Sequence, residues 1–516
     1  MMRMKEGLRF FRDCYTVGPG EARRRVREKQ EDRRIREEQA RMILLTPEER
    51  AAQEAASRAG GIRFHAAFLK KDIPEKLRGR AERSLREQTL SMADGTDAAE
   101  EDYTIFLEPD GYLHPAAAFT FAKTIRETGA DLLYTDEDFC TETPGDRSAP
   151  YYKPDYGPDS LRGCLYAGPL LVCRNALLRE AGAEEFAALD EESRWEMTIR
   201  LAKKAARVRH IPKVLYYRYI PEGAEIPQAK TRRIQDPIEG SPLVSILIPN
   251  KDHREDLKRC VDSIRGKSTY DHYEIIIIEN NSTEQETFRY YEELKQDPRI
   301  RIVSREGRFN YSAVNNEGFR EAKGEQILLL NNDTEVISGD WIQEMLMYTQ
   351  RPDVGAAGAK LYYPDGTIQH AGIGIGIKML AGHYHRGAAG NSDGYYGRLK
   401  YAQDVSAVTG ACMMIPRKVY AQMNGLDESF SVVFNDVDLC LRIREAGYLI
   451  VWTPWAKLIH YESKSRGSDE DTPEKKRFFV RETNRFLRRW YKALEAGDPY
   501  YNRNLTRWQE DFSPRG

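Results

Sequence analysis

The sequence lacks paired cysteines: seven are spread over 516 residues, at 14, 140, 164, 173, 260, 412 and 440, with no C-x-x-C spacing. That excludes a disulfide framework or a zinc knuckle and points to a reducing compartment. No apolar run approaches the roughly 20 residues needed to span a bilayer, and the N-terminus lacks the apolar core of a secretory signal. The expectation is a cytoplasmic protein, at most peripheral at the inner face of a membrane. Net charge is missing too: 79 Lys and Arg against 81 Asp and Glu leave −2, so no global field advertises a nucleic-acid partner.

What is present is charge of both signs, 31% of the chain. Residues 1–100 read as a charged helical N-terminal region, with acids and bases interleaved at 21–38 as in a solvated helix. An arm toward anionic lipid is the alternative to a plain surface helix. Alternation of strand and helix begins at 103–110 and fills 101–220, a first α/β unit. Residues 221–242 read as a linker, punctuated by Pro221, Gly223, Pro227, Pro237, Gly240 and Pro242. A second unit, 243–470, opens with a buried strand at 243–250 stopped by proline and alternates strands and helices at lengths that predict a largely parallel, Rossmann-like sheet. Within it, residues 364–404 read as a long Gly-, Tyr- and His-rich loop, the kind that is usually functional. Residues 449–455 and 458–461 read as two strands, and 471–516 as a helical tail.

The second unit is organised around residues 326–336. Four apolar residues read as a buried central strand, and Asn331-Asn332-Asp333 follows at once. Ligands bind at the carboxyl ends of strands in open α/β sheets, and a carboxylate beside amide oxygens suits Mg²⁺ or Mn²⁺. Alone, such a cluster is as well explained by an Asx turn closing a strand.

Six stretches in fixed order then carry a resemblance: Ser245-Ile-Leu-Ile-Pro249, Ile278-Glu-Asn-Asn-Ser282, Phe309-Asn-Tyr-Ser-Ala-Val-Asn-Asn316, Leu330-Asn-Asn-Asp-Thr-Glu335, Asn435-Asp-Val-Asp-Leu439 and His460-Tyr-Glu-Ser-Lys-Ser-Arg-Gly467. Over residues 243–467 the chain resembles family-2 glycosyltransferases of the GT-A fold, near bacterial rhamnosyl- and galactofuranosyl-type enzymes. The resemblance implies an inverting, single-displacement transferase that moves a sugar from a UDP- or dTDP-linked donor to a glycan or lipid-linked glycan acceptor in surface polysaccharide synthesis. It implies Asp436 as the general base. Asp333, with Asn331 in place of the first acid of a D-x-D and His460 as a third ligand, would hold the metal. Pro249, Glu279, Asn281, Asn316 and Asn332 would line the nucleotide-sugar site. Asp436 also suits a helix N-cap, and the H-x-H spacing of His383 and His385 mimics a metal pair.

The first unit resembles a partial, degenerate copy of the same fold, through Leu107-Glu-Pro-Asp110, Tyr134-Thr-Asp-Glu-Asp138, Tyr152-Lys-Pro-Asp155 and His210-Ile-Pro-Lys-Val-Leu-Tyr216. Its base position reads as Arg194 and its expected histidine as Tyr217, and no Pro-terminated strand precedes it, so it is expected to be inactive. Two alternatives stay open: a bifunctional two-site transferase, or a decayed sugar-binding scaffold, favoured by the amides at Asn331 and Asn435.

Overall fold

The computed structural model describes residues 29–30, 33–34, 45–57, 61–93, 99–141, 149–462 and 472–515. Most of the charged stretch at 21–38 lies outside them, as do residues 463–467 of the last motif. The chain divides into two compact units, 1–231 with 501–505 and 514–516, and 232–500 with 506–513.

Unit 1 contains β1 (Phe64–Phe68), β2 (Tyr103–Leu107), β3 (Gly111–Leu113), β4 (Leu132–Cys140), β5 (Leu170–Arg174) and β6 (Val208–Tyr219). Its helices are α1 (Pro47–Ser57), α2 (Glu75–Arg86), α3 (Ala117–Thr128), α4 (Pro158–Gly163), α5 (Asn175–Ala181) and α6 (Glu191–Lys204). β1 stands inside the stretch expected to be charged helix. Its pattern is short, but Phe64 packs in the core with Tyr103, Phe121 and Leu133, and the strand pairs parallel with β2. The sheet runs β1-β2-β5-β4-β6-β3.

Unit 2 contains β7 (Val244–Asn250), α7 (Arg254–Lys267), β8 (Tyr273–Glu279), α8 (Gln285–Leu294), β9 (Ile300–Ser304), α9 (Tyr311–Glu321), β10 (Gln326–Leu330) and β11 (Thr334–Val336). Then come α10 (Trp341–Thr349), β12 (Val354–Tyr362), β13 (Ile368–His370), β14 (Ile373–Ile375), β15 (Ala381–His383), β16 (Gln403–Asp404) and β17 (Cys412–Pro416). α11 (Arg417–Gln422), α12 (Asn435–Glu445), β18 (Leu449–His460) and α13 (Pro473–Ala496) complete it. The sheet runs β11-β18-β12-β17-β10-β7-β8-β9. β7, β8 and β10 are buried at every position, which is why they read as unbroken apolar runs rather than alternating ones. α9 lies close on this sheet: a Cβ on Gly318 would stand 2.7 Å from Cδ1 of Ile278. The α/β, GT-A-type architecture that the resemblance implied is the one observed.

Two local expectations change. Residues 449–460 form one strand, because Pro454 falls in a bulge where the register against β12 shifts between Gly358 and Lys360, and a bulge tolerates the missing N–H. The loop expected at 364–404 holds short strands at 368–370, 373–375, 381–383 and 403–404, and Tyr384 and Tyr401 are buried within it.

Strand order and sense agree between the units pair by pair. β1-β2-β5-β4-β6-β3 corresponds to β7-β10-β17-β12-β18-β11, parallel or antiparallel alike at each step, and β8 and β9 have no counterpart among the described residues of unit 1. Among the described residues the cysteines are free and buried, and no helix is long and apolar enough to cross a membrane.

Candidate active site

The carboxyl edge of the parallel strands of unit 2 gathers acids and amides. Asn250 and Glu279 end β7 and β8 opposite one another, and Asn331 follows β10 directly. Asn332 donates from Nδ2 to Oδ1 of Asn250 (2.6 Å), and Asn250 donates to the Tyr291 hydroxyl (2.8 Å), so the turn after β10 is tied to the end of β7. The buried Glu279 carboxylate accepts the backbone N–H of Ser282. Pro249 lies one step back in β7, opposite Ile278, and Asn281 stands exposed just beyond β8 in left-handed backbone (φ 59°).

Asn316 does something other than expected. Its Nδ2 donates to the Leu426 carbonyl (2.9 Å) and to Glu428 (3.1 Å), and its Oδ1 accepts from the Tyr420 hydroxyl (2.9 Å) and the Leu426 N–H (3.0 Å). Both ends of the amide are engaged within the protein, so Asn316 brackets the turn at 425–428 and presents no free group to a nucleotide.

The metal end is set by register. β11 runs antiparallel to β18 with Thr334 opposite His460, which brings the imidazole beside Asp333. Its Nε2 lies 3.1 Å from Asp333 Oδ1 and 3.2 Å from Asn331 Nδ2. On the far side Nδ1 meets Gln369 Oε1 at 2.6 Å, while Gln369 Nε2 donates to Glu462 (3.1 Å). Since Gln369 Oε1 only accepts, Nδ1 carries a ring proton, and it is in the neutral ring that the Nε2 lone pair faces Asp333; a second proton there makes Nε2 a donor to the carboxylate. Burial opposes the charge on Asp333, yet His460 and Arg259 hold its carboxyl below the usual range.

Among the described residues no three His, Cys, Asp or Glu side chains converge as a metal cluster. Two such ligands with an amide beside them do. Asp333 Oδ1 is buried and receives no hydrogen bond of good geometry, although a histidine lone pair lies close by. Two electron-rich atoms facing one another fit a hard divalent cation whose other positions go to a diphosphate and water.

Asp436 is brought to the same edge through the strand beside β10. The N–H of Asn331 donates to the Ala411 carbonyl (3.1 Å), and the N–H of the neighbouring Gly410 donates to Asp436 Oδ2 (3.0 Å). Its other oxygen accepts the N–H of Val437 (2.8 Å) in the first turn of α12. The N-cap of α12 is Phe434 and Asp436 is the second residue inside the helix, so the expected capping role is not met; its carboxylate is held at this edge by Gly410 and Val437 instead. Burial raises the Asp436 carboxyl above the ordinary range, and the hydrogen bonds from Gly410 and Val437 offset it only in part. Gly410 must stay small, since a Cβ there would stand 3.0 Å from the Tyr311 hydroxyl and 3.5 Å from Cβ of Asp436.

His383 and His385 do not form a pair. His385 stacks on Phe512 (4.6 Å between centroids, 15°), whereas His383 Nδ1 meets His370 Nδ1 at 3.0 Å. Burial pushes both His383 and His385 down to about 3. Sequence reading also missed Gln369, Gly410 and Glu482. Gln369 sits in a three-residue strand with no pattern of its own, and Glu482 is one of three acids in a helix dominated by basic residues.

Residues 245–423 match the family described as Glycosyl transferase family 2. The chain is 40% identical over 478 residues to the uncharacterized protein y4gI of Sinorhizobium fredii, covering 83% of this chain and 52% of that one. It is 34% identical over 474 residues to the O-antigen biosynthesis protein RfbC of Myxococcus xanthus, covering 83% of this chain and 36% of the relative. It thus spans about half the length of the first relative and about a third of the second. Among solved structures it is similar to the mannosyltransferase PcManGT from Pyrobaculum calidifontis in complex with GDP-Man and Mn²⁺, at 16% identity and a TM-score of 0.34, over 44% of this chain and 59% of that one.

Proposed function

Residues 245–423 being a family-2 glycosyltransferase domain, we propose that this chain moves a sugar from a nucleoside-diphosphate sugar to a hydroxyl of a glycan or lipid-linked glycan, with inversion, in the synthesis of a bacterial surface polysaccharide. The observation that carries the reading is the convergence of Asp333, His460 and Asp436 on one strand edge, from three distant parts of the chain. Similarity to RfbC, named an O-antigen biosynthesis protein, supports the polysaccharide setting.

Each residue has a task in this reading. Glu279 and Asn281 receive the base and ribose of a UDP or dTDP donor at the end of β8, with Pro249 shaping the floor from β7. Asn332 holds the Asn-Asn-Asp turn against Asn250. Asp333, His460 and the amide of Asn331 would hold Mg²⁺ or Mn²⁺, which when bound neutralises charge on the diphosphate leaving group. Asp436 accepts the proton of the acceptor hydroxyl as it attacks the anomeric carbon, and its raised carboxyl range makes it a better base than an exposed aspartate. The N–H groups of Gly410 and Val437 fix which oxygens face inward. The reading places the enzyme in the cytoplasm, peripheral at the membrane when its acceptor is lipid-linked, and assigns transfer to unit 2 alone.

The test is a panel of nucleotide sugars assayed for transfer and for slow donor hydrolysis. Asp436→Asn is expected to lower kcat about 100-fold or more, and EDTA to stop turnover until Mn²⁺ is restored. Transfer at the wild-type rate by Asp436→Asn removes the base assignment. Undiminished turnover in EDTA removes the metal one. A chain that neither binds nor turns over any donor supports the decayed scaffold instead.

A further inference from the structure

The shared strand order allows the two units to be compared residue by residue where β10 meets β11. Glu108, Pro109 and Asp110 join β2 to β3, as Asn331, Asn332 and Asp333 join β10 to β11. The first residue of β3, Gly111, is opposite Arg218 in β6, and the first residue of β11, Thr334, is opposite His460 in β18. By register the counterpart of His460 is therefore Arg218, one residue beyond the expected Tyr217. Asp110 takes the place of Asp333 and Glu108 that of Asn331.

Unit 1 thus has more carboxylate at this corner than unit 2, and yet two side-chain cations already occupy it, leaving Asp110 Oδ1 as the one carboxylate oxygen of the pair that is buried without a hydrogen bond. Lys71, three residues past β1, places Nζ 2.9 Å from Glu108 Oε2 and 2.7 Å from Asp110 Oδ2. Arg218 places Nη2 3.2 Å from the same Glu108 oxygen and Nη1 3.6 Å from Glu137. Burial opposes both the Lys71 ammonium and the Glu108 carboxylate, but their partners prevail: Lys71 is held above its usual range, and Arg218 and Lys71 hold Glu108 below its own. A guanidinium has no lone pair to offer a metal and keeps its proton at any working pH. The donor set that fits a cation in unit 2 does not fit one here.

We infer that unit 1 has exchanged the divalent cation of this fold for two tethered cations, Lys71 and Arg218, so that each chain takes up one divalent cation instead of two and Glu108 and Asp110 serve cohesion of the unit. A divalent ion carries two positive charges; here Lys71 spans Glu108 and Asp110, and Arg218 adds the second charge, shared between Glu108 and Glu137. The exchange accounts for a strand-end acid pair persisting in a unit without the strands that correspond to β8 and β9. It is also a stronger reason for inactivity than the buried Arg194, which donates to the Leu189 carbonyl (2.6 Å). The count of one rests on the reading of Asp333 and His460 as a cation site; the closure of unit 1 does not.

Titration of the full chain with Mn²⁺, followed by calorimetry and by loss of the free-ion electron paramagnetic resonance signal, separates the two claims. One equivalent is expected, lost in Asp333→Asn and kept in Asp110→Asn. An equivalent that survives Asp333→Asn and disappears in Asp110→Asn overturns the inference. No uptake at all by the wild type overturns the reading of unit 2, and unit 1 is then decided by variants that reopen its corner. Lys71→Ala/Arg218→His is expected to gain one equivalent over its parent, and the milder Lys71→Gln to gain a weaker one. Unchanged uptake in either variant, with a wild-type circular dichroism spectrum, overturns the inference.

Discussion

The Gln369 amide oxygen accepts from Nδ1 of His460 at 2.6 Å, and its nitrogen is held by Glu462, so the glutamine cannot turn over without losing both contacts. A histidine fixed in this way keeps its Nε2 lone pair pointed at Asp333 and gives up no ordering entropy when an ion arrives. Gln369→Leu should therefore weaken Mn²⁺ binding about 10- to 100-fold while leaving the fold intact, measured by calorimetric titration beside the circular dichroism spectrum. An unchanged affinity would show that His460 is not a ligand. His460 itself was legible in the sequence as a candidate ligand, since it stands at a strand end in order with five other motifs. Its anchor was not, because Gln369 lies 91 residues away and meets His460 only after the sheet has formed. Asn316 shows the opposite error: the residue type was right for a nucleotide contact, but Leu426, Glu428 and Tyr420 had already engaged its amide.

At the scale of elements, α13 matters more than its charge pattern suggested. Glu482 on its buried face accepts the N–H groups of Ser431 (2.6 Å), Val432 (3.3 Å) and Val433 (2.9 Å), and Phe486 stacks on Phe434 at 4.7 Å between centroids. These contacts hold the loop that enters α12 immediately before Asp436, where Phe434 has positive φ (62°). Replacing Glu482 by Ala leaves three backbone donors without their acceptor, at a cost of about 1–3 kcal/mol. Glu482→Ala should lower kcat through a loosened Asp436 while Mn²⁺ binding is unaffected, read from initial rates, urea melts and ion titration together. Equal loss of ion binding would mean that the helix supports the whole unit rather than this loop. The helix was visible in the sequence as part of a helical tail, but nothing in the run distinguishes the acid that faces inward. β1 was missed for a related reason: five residues between polar segments carry too short a pattern, and only β2 beside it makes the strand.

For the whole molecule, the two units are open to separate interrogation by pH. In unit 1 the buried His210 sits between two carboxylates, with Nε2 2.8 Å from Asp136 and Nδ1 3.0 Å from Asp155. Burial alone would lower its pKa, but Asp136 and Asp155 raise it to about 9. The folded value lies above the unfolded one, near 6.5. The stabilisation is therefore fully present below about pH 6.5 and is lost as pH rises through about 9. The melting transition of unit 1 should fall across that window, and His210→Gln should flatten the dependence and lower the melting temperature at pH 6. A pH-independent transition would show that the imidazole is neutral in the folded protein. How much of this level was legible depended on the unit. Six motifs in order marked out unit 2, because four lie at strand ends and two open the helices at 311 and 435. The kinship of unit 1 was read from four stretches, Leu107-Glu-Pro-Asp110 first among them, but whether Tyr217 or Arg218 stands where a ligand would be is a matter of register, which sequence pattern does not set.

The placement of β18 has a consequence for how the protein is made. This strand pairs with β12, β11 and β16, and it carries His460 at its last residue, far along the chain from Asp333. On the ribosome, β7 to β11 emerge first with the acid already in place, and the imidazole is added only when β18 slides between β11 and β12. A nascent chain released short of that strand would expose the inner edges of both neighbours, which in a chain with two sheets of like order invites pairing with the wrong partner. On the proposed assignment of Asp333 and His460 to a cation, assembly of that site and completion of the sheet are one event, so ion binding would report that synthesis has run past residue 460.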